Sequence, residues 1–423
     1  MQGADYAGLG PDQVHLLISS LSFDPSTFDL WGALCNGGTV AVFPPGIPTA
    51  DKIQDVVRRH GVTTTAIATG LFNSLVDEWP EVFAGMRQVI VGGETLSVRH
   101  ARVVATGGVN VTNGYGPTEC TVTTTAKRSA DAVQGIVPIG SPVPNTRVYV
   151  LDSHLNRVPI GVPGELMVVG PGLARSYRGR RGVTAERFVA CPFEPGERMY
   201  RTGDLVRTLP SGELEFLGRV DRQVKIRGFR VEPGEIESRL EEHSDVDQVL
   251  VHVREDQSGD RRLVAYLLSG NPPSADELRA FCQQGLPAHM VPAAFVALDA
   301  FPLDPNGKVL RSALPAPDWA APTGTYVAPQ TDAEEAIAAM WSSVLGIERP
   351  GVHDDFFALG GHSLLASRVR MAIQAGFGVD LPMRTFFEAT TVSALAQAVE
   401  REIETELAGM SEQELLTTLE GMA

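Results

Sequence analysis

Asp354-Asp355-Phe356-Phe357-Ala358-Leu359-Gly360-Gly361-His362-Ser363-Leu364-Leu365 puts a serine behind two glycines at the head of an apolar-periodic segment. Leu365, Val369, Ala372 and Ile373 recur at helical spacing, which predicts a helix with Ser363 in its first turn. Unpaired amides and the positive end of the dipole make that turn hospitable to a phosphate. Serine behind glycine alone reads as an ordinary helix cap. The aromatic pair and the Gly-Gly-His-Ser-Leu core turn the reading toward a covalent attachment point.

Helical periodicity also marks Asp332 to Leu345 and Val392 to Glu404, so the attachment serine belongs to a small helical unit. Leu415, Leu416, Leu419 and Met422 share one face of an acidic tail beyond it, a candidate docking segment. Ahead of the unit, Pro315, Pro317, Pro322 and Pro329 with several small residues read as a semi-rigid linker. Upstream of the linker, Gln223 to Arg227 reads as a strand and Pro233 to Glu242 as a helix opened by proline. From Pro138 to Arg219 the apolar runs are short and glycine-punctuated, a β-rich pattern. From Val14 to about Val150, strand-like runs such as Val89-Ile90-Val91 alternate with helix-like stretches such as Asp51 to His60 and Leu71 to Glu78. That alternation is α/β patterning.

At 423 residues, 43% hydrophobic and 20% charged, the chain is long enough for two to four domains with cores of their own. Its 35 basic and 51 acidic residues leave a net charge of −16, which argues against nucleic acid and against anionic membrane surfaces as partners. Cys35, Cys120, Cys191 and Cys282 lie far apart without Cys-x-x-Cys spacing, so neither a zinc site nor a disulfide framework is indicated. A reducing cytoplasm fits. No apolar run approaches the ~18 residues of a membrane span, and the first residues lack the blocks of a signal peptide.

Five further strings occur in one order: Leu21-Ser22-Phe23-Asp24-Pro25-Ser26-Thr27, Asn113-Gly114-Tyr115-Gly116-Pro117-Thr118-Glu119, Tyr200-Arg201-Thr202-Gly203-Asp204-Leu205, Gly218-Arg219-Val220-Asp221-Arg222-Gln223-Val224-Lys225-Ile226-Arg227-Gly228, and Pro305-Asn306-Gly307-Lys308. The ordered set resembles the adenylation domain of non-ribosomal peptide synthetases, in the adenylate-forming superfamily, over Leu16 to Leu314. The Ser363 run resembles the phosphopantetheine site of a peptidyl carrier protein. What this implies is a partial α/β adenylation core with a β-rich subdomain over 1–220 and a mobile α+β subdomain over 221–314. The linker over 315–330, a helical-bundle carrier domain over 331–405 and the tail over 406–423 complete the expectation.

Adenylation requires a carboxylate to attack the α-phosphate of ATP while magnesium and cationic groups balance the charge on the oxygens. By the resemblance, Glu119 holds magnesium, Thr118 bonds the α-phosphate and Tyr115 offers a face to adenine. Asp204 accepts the ribose hydroxyls, and Arg219 reaches the same ribose or the phosphates. Lys308 bridges the substrate carboxylate and the phosphates. Asp221 corresponds to the hinge, and Lys225 approaches the site in the second conformation.

Asp24, a carboxylate in an apolar run, corresponds to the partner of the substrate ammonium. Pro25, Phe28, Ala66, Ile90, Gly92, Gly114, Val122 and Thr123 line the rest of the pocket by the same correspondence, with Lys308 closing its carboxylate side. Ala66, Gly92 and Gly114 leave volume, which favours a large neutral side chain such as an aromatic one.

The family pattern also places a Gly/Ser/Thr-rich loop with a lysine ahead of the first string, around the β- and γ-phosphates. None precedes Phe23 here, so the expectation is a fragment or one half of a split enzyme that does not adenylate alone. Phe216 stands where many relatives have tyrosine. Implied cofactors are 4'-phosphopantetheine on Ser363, ATP and magnesium. Implied partners are an amino acid, a phosphopantetheinyl transferase, condensation or thioesterase domains of neighbouring modules, and the missing half of the core. Two other readings remain: an acyl-CoA ligase, and a non-catalytic carrier and docking protein with a vestigial core.

Overall fold

Valine-rich strands joined by amphipathic helices dictate a parallel sheet, because each crossover must travel the length of a helix before the next strand can pair. The computed structural model describes residues 6–46, 48–128, 136–226, 229–255, 261–303, 309–317, 326–356, 359, 361, 363–379, 381–382, 385–386 and 389–409. Contacts divide the chain into two units, meeting in sequence between Val231 and Glu232.

In the first unit β1 (Val14–Leu17), α1 (Pro25–Leu34), β2 (Thr39–Val42), α2 (Ala50–His60), β3 (Thr64–Ala68), α3 (Thr69–Glu78), β4 (Gln88–Gly92), α4 (Val98–Thr106) and β5 (Asn110–Tyr115) alternate. The strands lie in the order β2-β1-β3-β4-β5, all parallel, and β6 (Thr125–Arg128) and β7 (Ser141–Pro142) extend the sheet antiparallel. Period-two alternation sends Leu16, Ile67, Val89, Val91 and Val111 to one face, against Ile53 and Val57 of α2, Phe72 and Leu75 of α3, and Val104 of α4. Ala66 and Ile90 point the other way and pack with Phe28 of α1. α2 shows how local chemistry sets an element: Asp51 in its first turn and Arg58, Arg59 and His60 in its last complement the dipole, and Gly61 ends it at φ 62°.

Next comes an antiparallel sheet of β8 (Arg147–Leu151), β9 (Gly164–Val169), β10 (Phe188–Ala190), β11 (Arg198–Thr208) and β12 (Leu214–Arg219), with α5 (Arg181–Arg187) leading into β10. The registers of β11 against β9 and β12 both shift near Gly203 and Leu205. Such irregularities re-aim a side chain, and the one turned here is Asp204. The unit ends on a hairpin, β13 (Val224–Ile226) and β14 (Phe229–Val231), with Lys225 opposite Arg230.

The second unit opens with α6 (Pro233–Glu241), β15 (Gln248–Glu255), β16 (Arg261–Leu268), α7 (Ala275–Gln283) and β17 (Ala294–Leu298), whose strands form one mixed sheet. Helices α8 (Asp332–Leu345), α9 (Ser363–Phe377) and α10 (Val392–Gly409) follow, around a core that includes Ile337, Trp341, Phe356, Val369, Ile373, Leu395 and Val399. Thr331 and Glu334 form a capping box on α8, and Gly346 closes it at φ 69°. No helix among the described residues is long and apolar enough to cross a membrane.

Gly361, two residues ahead of α9, lies against Phe356 so closely that a Cβ would overlap the ring. Gly361→Ala is therefore expected to destabilise the helical unit by about 1–3 kcal/mol, the usual range for overpacking. A thermal unfolding transition unchanged from the parent would refute this.

Candidate functional site

Ligands of open parallel sheets bind beyond the carboxyl ends of the strands, and here those ends carry the predicted site residues. Gly92 ends β4 and Tyr115 ends β5. A Cβ on Gly92 would lie 2.6 Å from the Gly114 carbonyl oxygen, so the two strands converge only because that position is glycine. After Tyr115 the chain turns through Thr118–Cys120, a short 3-10 helix, and doubles back with the Thr124 amide donating to the Tyr115 carbonyl at 2.7 Å. Thr121 and Val122 hold φ of 63° and 66°, left-handed values that β-branched residues rarely adopt and that cost about 1–3 kcal/mol each. That strain fixes Val122 against the cluster of Phe28, Ala66 and Ile90, which Tyr6, Ala7 and Leu9 also join.

Tyr115 is 7% exposed, and its hydroxyl donates to Asp204. Burial, reinforced by the Asp204 charge, drives the phenol well above its ordinary range. The Lys225 ammonium lies 5.9 Å from the centre of the Tyr115 ring. Burial pulls that lysine down, against the opposing pull of Asp204. The other Asp204 oxygen accepts from Arg219. Arg219 also donates through Nε and Nη2 to the two oxygens of Asp221, at 2.6 and 2.8 Å, and through Nη2 to the Thr202 carbonyl. Arg187 adds a second cation to Asp221 at 3.0 Å. Burial would raise the Asp221 carboxyl, but the two arginines outweigh it and hold it below the usual range.

Glu119 is buried beside this network. Arg230 Nη1 lies 2.8 Å from both of its oxygens, and the Tyr177 hydroxyl donates to Oε1. Thr118, next to it, is exposed. Among the described residues no three His, Cys, Asp or Glu side chains cluster to hold a metal by themselves. A single carboxylate of hard oxygens suits magnesium only if phosphates and water fill the remaining positions.

Asp24 immediately precedes α1, half-buried, with helical backbone angles and no side-chain capping bond to the helix amides. Pro25 and Thr123 are half-buried. Lys308 lies outside the described residues, as do Arg227 and Gly228 of the fourth string and the tail from Met410. Ser363 begins α9, as its spacing predicted; its side chain is outside the described set.

Four residues of this neighbourhood escaped sequence reasoning: Arg187, Tyr177, Arg230 and Asp29. Alternation could have flagged Arg230, since it faces Lys225 across a hairpin. Nothing local marks Arg187 or Tyr177, which arrive from distant positions. Asp29, one turn along α1 from Asp24, is fully buried and accepts from the Ala66 amide at 3.3 Å. Desolvation raises its carboxyl well above the usual value despite the backbone bonds it accepts. His15 is fully buried against the Phe28 ring, 5.2 Å between centroids, and burial lowers its pKa to about 4.

Three family models match this chain: AMP-binding enzyme over residues 1–178, AMP-binding enzyme C-terminal domain over 235–308, and phosphopantetheine attachment site over 335–399. A linear gramicidin synthase of Brevibacillus parabrevis is 47% identical over 91% of the chain, and bacitracin synthase 1 of Bacillus licheniformis 42% over 95%. The chain spans only 5% and 8% of those two proteins. Holo-PA1221, a solved NRPS protein containing adenylation and PCP domains bound to a vinylsulfonamide inhibitor, is 30% identical with a TM-score of 0.78, covering 95% of this chain and 68% of that one. The fused adenylation-PCP di-domain NpsA-ThdA from Klebsiella oxytoca is 25% identical with a TM-score of 0.63, covering 94% and 68%.

His15 and Asp29 predict opposed pH dependences. A histidine depressed from 6.5 to about 4 contributes stability that is present above pH 6.5 and lost as pH falls toward 4, about 3 kcal/mol at most. An aspartate raised above 3.8 contributes stability that is present below pH 3.8 and lost as pH rises through its folded value. The two slopes oppose each other in the wild type. Asp29→Asn should steepen the loss of stability from pH 6.5 to 4, and His15→Gln should flatten it. Identical slopes in urea unfolding of all three chains would defeat the assignment.

Proposed function

The chain belongs to the non-ribosomal peptide synthetase family that joins an adenylation domain to a peptidyl carrier domain, and on that premise we propose that its site activates an amino acid with ATP and loads it onto Ser363. The observation that carries this reading is the Tyr115–Asp204 hydrogen bond. It joins two strings 89 residues apart at the carboxyl ends of the parallel strands.

In the first half-reaction a substrate carboxylate oxygen attacks the α-phosphorus of ATP, forming an acyl–phosphate bond as the bond to the bridging oxygen breaks and pyrophosphate leaves. Asp24 would hold the substrate ammonium, Asp204 the ribose hydroxyls, Thr118 the α-phosphate and Lys308 the carboxylate. Magnesium at Glu119 would neutralise charge that builds on the phosphate oxygens. The phosphopantetheine arm on Ser363 would supply the thiol that takes the acyl group and releases AMP.

Asp221, which pairs with Arg187 and Arg219, would act as the hinge, and Lys225 just beyond it would serve the second half-reaction. The small residues Ala66, Gly92 and Gly114 support a large neutral substrate side chain. We read residues 1–220 as the core, 221–314 as the mobile subdomain and 331–405 as the carrier. A cytoplasmic setting, a phosphopantetheinyl transferase and neighbouring condensation or thioesterase domains complete the proposal.

Intact mass after incubation with CoA and a phosphopantetheinyl transferase is expected to rise by one arm, and Ser363→Ala is expected to abolish the gain. A gain that persists in that variant would move the attachment elsewhere. In amino-acid-dependent pyrophosphate exchange, large neutral substrates are expected to exceed glycine and lysine by roughly tenfold or more. The opposite preference would remove the pocket assignment.

A further inference from the structure

Gly92 and Gly114 pair across β4 and β5, and Gly93 follows at φ 100°, so one wall of the pocket is backbone without side chains. Glycine backbone is the least constrained there is. A wall that gives way discriminates poorly between substrate side chains, so what holds this one in place has to come from another element.

Thr69 supplies the hold. It is the first residue of α3, 1% exposed, and follows Ala68, which pairs with Gly92 as the last rung between β3 and β4. Its single hydroxyl proton lies between the Gly92 carbonyl at 3.0 Å and the Glu94 carbonyl at 3.2 Å, and its oxygen accepts from the Glu94 amide at 3.4 Å. The hydroxyl thus takes the place of the next rung and ties both ends of the Gly92-Gly93-Glu94 turn to β3. A shift of the turn would leave that hydroxyl buried without a partner, which opposes the shift. Ala66, the pocket residue of β3, is held separately, its amide donating to Asp29 at 3.3 Å.

We propose that Thr69 is a positioning residue for substrate selection, its hydroxyl fixing the Gly92 wall of the pocket where the accepted side chain requires it. Thr69 acts through the backbone of Gly92 and Glu94 and adds a specificity residue outside the pocket lining. This rests on the adenylation reading of the site.

Dissociation constants of the phenylalanyl and alanyl sulfamoyladenosines, stable analogues of two aminoacyl adenylates, test this by calorimetry on the full chain. The adenosine half is common to both, so their ratio reports the side-chain pocket alone. The wild type is expected to favour the phenylalanyl analogue by roughly tenfold or more. Thr69→Val keeps the shape and loses the hydroxyl, and should cut the ratio to about threefold or less. Thr69→Ser should retain the ratio. Gly93→Ala strains the same turn at a left-handed φ and should erode the ratio as well, which keeps the test open if the valine variant does not fold.

A merely structural threonine would lower the unfolding midpoint and the fraction of competent chain but leave the ratio as it was, and that result would overturn the proposal. Equal affinity of the wild type for both analogues would also overturn it and leave the adenylation reading standing. A wild type that favours the alanyl analogue would remove the large-side-chain reading; the proposal then requires Thr69→Val to erode that preference instead. Binding of neither analogue would remove the adenylation reading and the proposal together.

Discussion

Arg219 is the interaction on which the site depends. Its guanidinium is 11% exposed and donates to Asp204, to both oxygens of Asp221 and to the Thr202 carbonyl. A charge so far from water must be paired and hydrogen-bonded, and breaking such a pair costs about 3–5 kcal/mol because the partner charge is left uncompensated. The geometry around it is correspondingly exact in its demands. Gly203 takes φ 73°, and a Cβ there would meet Asp221 and Arg219. Through Asp204 the guanidinium orients Tyr115 at the end of β5; through Asp221 it fixes the approach to the hairpin. The arginine is therefore committed to holding two carboxylates in place. Its correspondence to a ribose or phosphate contact has to be met by an arginine that already carries these bonds.

A second constraint is backbone strain between Thr118 and Thr124. The turn closes tightly because position 116 is glycine, where a Cβ would overlap the Val122 carbonyl, and the Thr121 hydroxyl ties it outward by donating to the Gly172 carbonyl at 2.6 Å. Packing on both sides thus over-determines the turn. The return is position: Glu119 faces the Arg230 guanidinium, while Val122 turns to the Phe28 cluster, within four residues of one another. A relaxed turn would serve one side only.

Much of this was legible because it follows from periodicity. α2, α8 and the start of α9 fall where apolar spacing puts them, and β8 and β9 lie within the stretch of short, glycine-punctuated apolar runs. Asp204, Arg219 and Tyr115 could be named from short strings only through the resemblance those strings carry; the structure sets them in β11, β12 and β5. The partners of Glu119 and Asp221 could not. Arg187, Tyr177 and Arg230 come from separate strands, helices and loops, and only the register of β11 and the fold of the hairpin bring them in. Asp29 was hidden for another reason: an acid one turn into an amphipathic helix reads as solvated until the sheet that buries it is known. Tertiary packing inverted its meaning.

The hairpin depends on the same acids. Lys225 and Arg230 stand directly opposite each other, a like-charge pair that weakens a two-stranded ribbon, and three-residue strands have little stability of their own. The pair becomes tolerable where each cation finds negative charge: Asp204 acts on Lys225, and Glu119 holds Arg230. Stability of the hairpin is thus borrowed from the acidic residues of the site. Removing either acid withdraws that support, so Asp204 and Glu119 belong to the stability of the hairpin as much as to the site.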